Sequence, residues 1–103
     1  MSPAIVHSAR MRWNTVRPLR SAHCAASAEF WCRDTGQADK VVRVRFELRH
    51  GYTGGQRGGD TWWVTLTVDG AGTYGQKYST ARAETRARTA YSEAVLEMEK
   101  ATR

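Results

Sequence analysis

Apolar and charged residues alternate without a break from 42 to 49: Val42, Val44, Phe46 and Leu48 against Arg43, Arg45, Glu47 and Arg49. A period of two puts one set on each face of a pleated strand, so this segment predicts a half-buried strand. Residues 50–60 are rich in glycine and predict a flexible loop. The alternation resumes with Trp62, Val64, Leu66 and Val68 against Trp63, Thr65, Thr67 and Asp69. Aromatic and β-branched residues dominate, which predicts a second strand antiparallel to the first. Asp69-Gly70-Ala71-Gly72 supplies a tight turn, and residues 73–78 a short third strand with Gly75 as a bulge. From there the period changes. Ser79 or Thr80 is placed to cap a helix running to about Lys100, whose stripe is Ala83, Ala87, Ala90, Tyr91, Ala94, Val95 and Met98. The expected fold class is α+β: a three-stranded antiparallel sheet with one C-terminal helix packed on its apolar face, in the order β-β-β-α.

Residues 1–40 have a different character. Ile5, Val6, Met11, Trp13, Val16 and Leu19 hold neither a two-residue nor a 3.6-residue period, and Pro3 and Pro18 interrupt any helix. Arg10, Arg12, Arg17, Arg20, Arg33 and Lys40 are distributed along the segment, and no acidic residue precedes Glu29. The arginines exclude the uninterrupted apolar core of a secretory signal, whereas an Arg- and Ser-rich, acid-poor leader has the composition of a transit peptide. Thirteen Arg against three Lys point instead to a GC-rich bacterial or phage gene. In such a gene Val41 or Val42, read as a GTG start, is an alternative initiator. The expected organisation is a poorly structured basic segment over 1–40 and a β-β-β-α domain over 41–103.

A chain of 103 residues with a net charge of +6 excludes large catalytic folds and leaves room for one small module. No apolar run approaches the roughly 20 residues of a membrane span. A cytoplasmic location and no membrane contact are expected. About ten apolar side chains, at roughly 1.5–3 kcal/mol each when fully buried, make a thin core for the predicted domain. A homodimer, or a hetero-complex that extends the sheet, is therefore expected.

Candidate chemistry is sparse. Cys24 and Cys32 beside His23 offer three ligands where structural zinc normally takes four, so free thiols are expected and no metal. His50 has only Glu47 and Asp60 as neighbouring acids, and no nucleophile constellation accompanies it. The glycine-rich loop lacks the Lys-Ser/Thr ending and following helix of a phosphate loop. Neither an enzyme nor a cofactor is expected. What stands out is the polar sheet face, where Arg43, Arg45 and Arg49 are expected to surround an exposed Trp63. The alternative is that the N-terminal segment or a second copy covers that tryptophan. In the helix, Arg82, Arg86 and Arg88 lie in the first half and Glu93, Glu97 and Glu99 in the second, opposing the macrodipole. Arg82 and Arg86 are then candidates for contact with an acidic partner, against the plainer reading of a solvated face.

Trp62-Trp63-Val64, Gly70, Gln76 and Ala83-Glu84-Thr85-Arg86-Ala87-Arg88 resemble the HicB-like antitoxin family, in particular its short actinobacterial members, over about residues 61–95. The resemblance implies a protein that neutralises a small HicA-like ribonuclease toxin by protein–protein contact. Trp63 and the sheet arginines Arg43, Arg45 and Arg49 are the expected partner surface, with Arg82 and Arg86 of the helix as further binding candidates. A second resemblance belongs to another class. Three strands and a helix, with Trp62 four residues before Leu66 and then Val68-Asp69-Gly70, are similar to plant ethylene-response domains and phage integrase arm-binding domains. These lay sheet Arg and Trp side chains in the major groove. Nucleic acid is thus the alternative partner. A double-stranded RNA-binding domain would require a helix ahead of the first strand, which residues 1–40 do not supply.

Overall fold

The computed structural model describes residues 13–34, 37–52, 60–70 and 72–101. It contains five strands and one helix: β1 (Asn14–Thr15), β2 (His23–Asp34), β3 (Gln37–Tyr52), β4 (Asp60–Val68), β5 (Gly72–Tyr78) and α1 (Ala83–Ala101). The strands form a single sheet in the order β1-β5-β4-β3-β2, antiparallel throughout. Four of them make a meander in chain order, and β1 returns to pair with the far edge of β5. The α+β class with one C-terminal helix on an antiparallel sheet is present. The expectation of three strands is corrected to five, because the segment read as poorly structured contributes β1 and β2. Residues 1–12, and the glycine-rich stretch over 53–59, lie outside the described residues.

The period-two pattern sets the layers. Val44, Phe46 and Leu48 of β3 lie opposite Val68, Leu66 and Val64 of β4, and all six are at most 3 % exposed. Over them runs α1, with Ala87, Ala94 and Met98 fully buried. Alanine at the contact lets the helix backbone approach the sheet closely, so the stripe read from the sequence is the buried stripe. Phe46 sits near the centre, meeting Trp13 edge-on at 5.8 Å and Phe30 at 6.0 Å between ring centroids. Both partners come from the N-terminal part of the chain, which thickens the core beyond the expected ten side chains.

Two local expectations are also corrected. Neither Ser79 nor Thr80 occupies the helix cap. The Thr80 carbonyl accepts a hydrogen bond from the Ala83 N–H in a turn (3.0 Å), and the Arg82 carbonyl accepts the first helical bond from Arg86 (2.9 Å). Arg82 is therefore the cap residue, at φ 60°, a conformation L-residues adopt at a cost. At Gly75, φ is 155°, and an added Cβ would collide with the Val64 carbonyl oxygen on the neighbouring strand. The strand pairing with β4 runs through this position in unbroken register, so the glycine permits close backbone approach rather than a bulge.

Candidate partner-binding face

The face of the sheet opposite α1 carries the odd-numbered residues of β3 and β4, as their alternation requires. It divides into two zones according to what lies on top. After β1 the chain turns onto this face: the Val16 N–H donates to the Thr73 carbonyl (3.4 Å), and the Ala22 N–H closes a turn onto the Leu19 carbonyl (3.0 Å). Residues 16–22 thus form a strap crossing the sheet from the β5 edge to the start of β2. Pro18, Leu19 and Arg20 line an open cleft of about 220 Å³ with Glu47, Arg49, Thr65 and Thr67.

Beneath the strap, Trp63 is 3 % exposed. A Cβ built at Gly51 would come within 3.2 Å of the Trp63 ring and 3.4 Å of Ala22, so the indole occupies space that a side chain at 51 would contest. Arg49 lies opposite Trp63 on β3 and ties the strap down. Its guanidinium donates to the Ala22 carbonyl and pairs with Glu47 at 3.2 Å. Two of the expected partner-surface residues are therefore structural. Trp63 is covered by the chain's own N-terminal segment, the alternative raised by the sequence, and Arg49 holds that cover in place.

The second zone is open. Arg43 stands between Glu29 (3.4 Å) and Asp69 (3.3 Å), and Arg45 reaches the same Glu29 oxygen at 3.4 Å. These side chains are 37–50 % exposed, so the pairs add little to stability; they orient the guanidinium groups. Directly opposite Arg43 on β2 lies Trp31, 67 % exposed, and nearby Val41 is 52 % exposed. Trp31 is the residue the sequence reading missed. Its signal was present: Ala26, Ala28, Phe30 and Cys32 alternate with Ser27, Glu29 and Trp31, a period of two built from small side chains.

Arg82 and Arg86 do not join this face. They lie at the start of α1 on the other side of the sheet, where Arg86 covers the Tyr78 ring at 5.3 Å and donates to the Thr80 hydroxyl at 3.1 Å. Alongside, Arg88 stacks on Trp62 at 5.2 Å and pairs with Glu84 at 2.8 Å. Arg86 and Arg88 are thus engaged with aromatic residues of the chain itself, and the six expected binding residues lie in three separate places.

The remaining reactive groups are dispersed. His50 stacks on Trp62 at 4.3 Å, with Nε2 3.2 Å from an Asp60 carboxylate oxygen. Cys32 is buried, its thiol directed at the Met98 sulfur at 3.8 Å, and burial pushes its pKa up. Cys24 is exposed and donates to the Ala26 carbonyl; desolvation first, then the neighbouring Glu47, raises its pKa as well. Both thiols are held in their less nucleophilic form. Among the described residues no three His, Cys, Asp or Glu side chains converge on a metal site, and no helix is long and apolar enough to cross a membrane. No family model matches the chain, and no curated protein and no solved structure matches it.

Proposed function

We propose that this chain is a non-catalytic binding module whose open sheet zone, centred on Trp31, docks a protein partner in the manner of an antitoxin on a small ribonuclease toxin. The observation that carries this reading is Trp31, 67 % exposed and in register with Arg43. Tryptophan and arginine are the side chains that concentrate binding energy at protein interfaces, and a large exposed aromatic is unfavourable unless something covers it. Arg43 and Arg45 already share Glu29, and Arg43 also has Asp69. Their charge is balanced locally, which suits a partner that packs on the indole rather than one bound by phosphate neutralisation.

Co-expression of the full chain with the neighbouring small open reading frame tests the proposal, with growth and co-purification as readouts. Rescue of toxicity together with a stable complex that Trp31→Ala abolishes is the expected result. An absence of both toxicity and complex overturns it.

The same face favours a second reading, as a sheet-reading DNA-binding domain. Arg17 and Arg20 of the strap and Lys77 of β5 add three positive charges to the sheet face that contains Arg43, Arg45 and Arg49. Salt dependence separates the two. Four or five phosphate contacts weaken DNA binding by about two orders of magnitude between roughly 50 and 200 mM salt. An interface centred on an indole changes far less.

A further inference from the structure

The two edges of the sheet are treated differently. At one, β1 pairs with β5 and the strap folds over onto the outer face. At the other, β2 runs for twelve residues with, among the described residues, a strand on one side only. Alternate residues of an antiparallel strand turn their N–H and C=O groups away from the neighbour, so β2 presents a row of donors and acceptors, about 40 Å long, to which no described strand pairs. Strands left at an edge are commonly protected by proline, lysine, inward charges or bulges. The one irregularity facing β3 within the first part of β2 lies at Cys24/Ala26, which leaves 26–32 as regular strand. That segment contains neither proline nor lysine. On the α1 side of this edge, Ala26 and Phe30 pack against the core yet remain only partly buried.

We infer that β2 pairs with β2 of a second copy of this chain, antiparallel about a two-fold axis at Phe30. The sequence of the strand selects both partner and register. Continuity of the two sheet faces requires even-numbered residues to meet even-numbered ones. An axis at Glu29 would place two carboxylates directly opposite each other, which is unfavourable. An axis at Phe30 places Phe30 opposite Phe30 of the second copy on the helix side, closing the open margin of both cores with an aromatic pair. It also places Ala28 opposite Cys32, and Glu29 opposite Trp31, on each side of the axis. Glu29 is the carboxylate that Arg43 and Arg45 share, so each Trp31 arrives beside the other copy's guanidinium pair. The result is one continuous ten-stranded sheet with the two open zones adjacent on its outer face.

Sedimentation of the full chain reads the assembly directly, with the expected mass being twice the 11.6 kDa of one chain. Ala28→Lys, which puts an ammonium group into the joined edge, is expected to return the mass to that of a single chain. Because this variant could also weaken the fold, a second measurement uses Phe30→Cys in a Cys24→Ser background. Mild oxidation is expected to link two copies through residue 30. A single-chain mass for the unaltered protein at high micromolar concentration overturns the inference, whether the edge is open or covered by the chain's own first residues. So does a dimer that forms no crosslink at residue 30, since it must join through another surface. Neither outcome bears on toxin rescue or on its loss in Trp31→Ala, so the dimer and the proposed function fail separately.

Discussion

Replacing Trp63 by alanine removes an indole that is 3 % exposed and leaves a cavity between β4 and the strap, beside Gly51. Truncation of a buried tryptophan destabilises by roughly 3–5 kcal/mol through lost transfer energy and the cavity left behind. A domain of about 100 residues unfolds with about 5–15 kcal/mol, so the loss is roughly a fifth of the total or more. With an unfolding entropy near 0.2 kcal/mol per kelvin for that size, the melting temperature should fall by about 15–25 °C. Trp31 lies on the same face of the sheet but is 67 % exposed, and Trp31→Ala should change stability by no more than about 0.5 kcal/mol. Urea denaturation followed by far-ultraviolet circular dichroism measures both without depending on tryptophan emission. An unchanged slope with denaturant would confirm that the same surface unfolds in each variant. A loss below about 1 kcal/mol for Trp63→Ala, or a larger loss for Trp31→Ala, would refute the account. The strap would then not be what separates a covered tryptophan from an open one.

Gly75→Ala should destabilise by about 1–3 kcal/mol or more, because its Cβ meets the Val64 carbonyl at a φ of 155°; a denaturation midpoint equal to that of the parent chain would contradict the backbone geometry. Arg82→Gly should stabilise by roughly 0.5–1 kcal/mol, the relief of a left-handed L-residue at the helix cap less the entropy of a freer unfolded chain, and a loss in thermal melts would show that the arginine side chain outweighs that strain. Burial raises the pKa of Cys32 above 9.0 and of Tyr78 and Tyr91 above 10.0, so the folded chain holds these protons more tightly than the unfolded one. Their contribution is complete below about pH 9 and is lost as the pH climbs through the unfolded and then the folded values. The urea midpoint should therefore fall as the pH rises above about 9, less steeply in Tyr78→Phe; a midpoint that rises there would reverse the assigned direction.

The later half of the fold was legible because its side chains are large and its periods clean. Val42 to Leu48 and Trp62 to Val68 alternate without error; burial along β3 repeats that alternation, whereas in β4 Trp63 and Thr65 of the outer face are buried as well. The helix stripe from Ala83 to Met98 survives as well, displaced only at its start, where an arginine in a left-handed conformation gives no local sign that it ends the turn. What escaped was β2. Its inward positions are Ala26, Ala28, Phe30 and Cys32, three of them small, and alanine has little intrinsic preference for strands. Such a segment becomes a strand because β3 offers it a ladder of hydrogen bonds from His23 opposite His50 to Cys32 opposite Val42, irregular only at Cys24/Ala26. That stabilisation is tertiary and leaves little trace in local propensity.

The site follows the same division. Alternation fixes which face of the sheet a residue is on, and it put Arg43, Arg45, Arg49 and Trp63 on one face, where they are. It does not fix whether that face is covered. Cover is decided by residues 16–22, whose Val16, Pro18 and Leu19 have no period because a strap makes neither helix nor strand, and whose position depends on β1 first pairing with β5 some sixty residues later in the chain. Once the strap is laid down, exposure is exchanged between the two tryptophans: Trp63, at the strap's end, becomes core, while Trp31, two strands across and beyond its reach, becomes the surface beside Arg43. The chemistry expected of the face, an indole among arginines, is therefore kept with a different indole. Arg49, which looked like the third member of the basic set, is instead the tie that makes the exchange possible, because its guanidinium joins β3 to the Ala22 carbonyl of the strap.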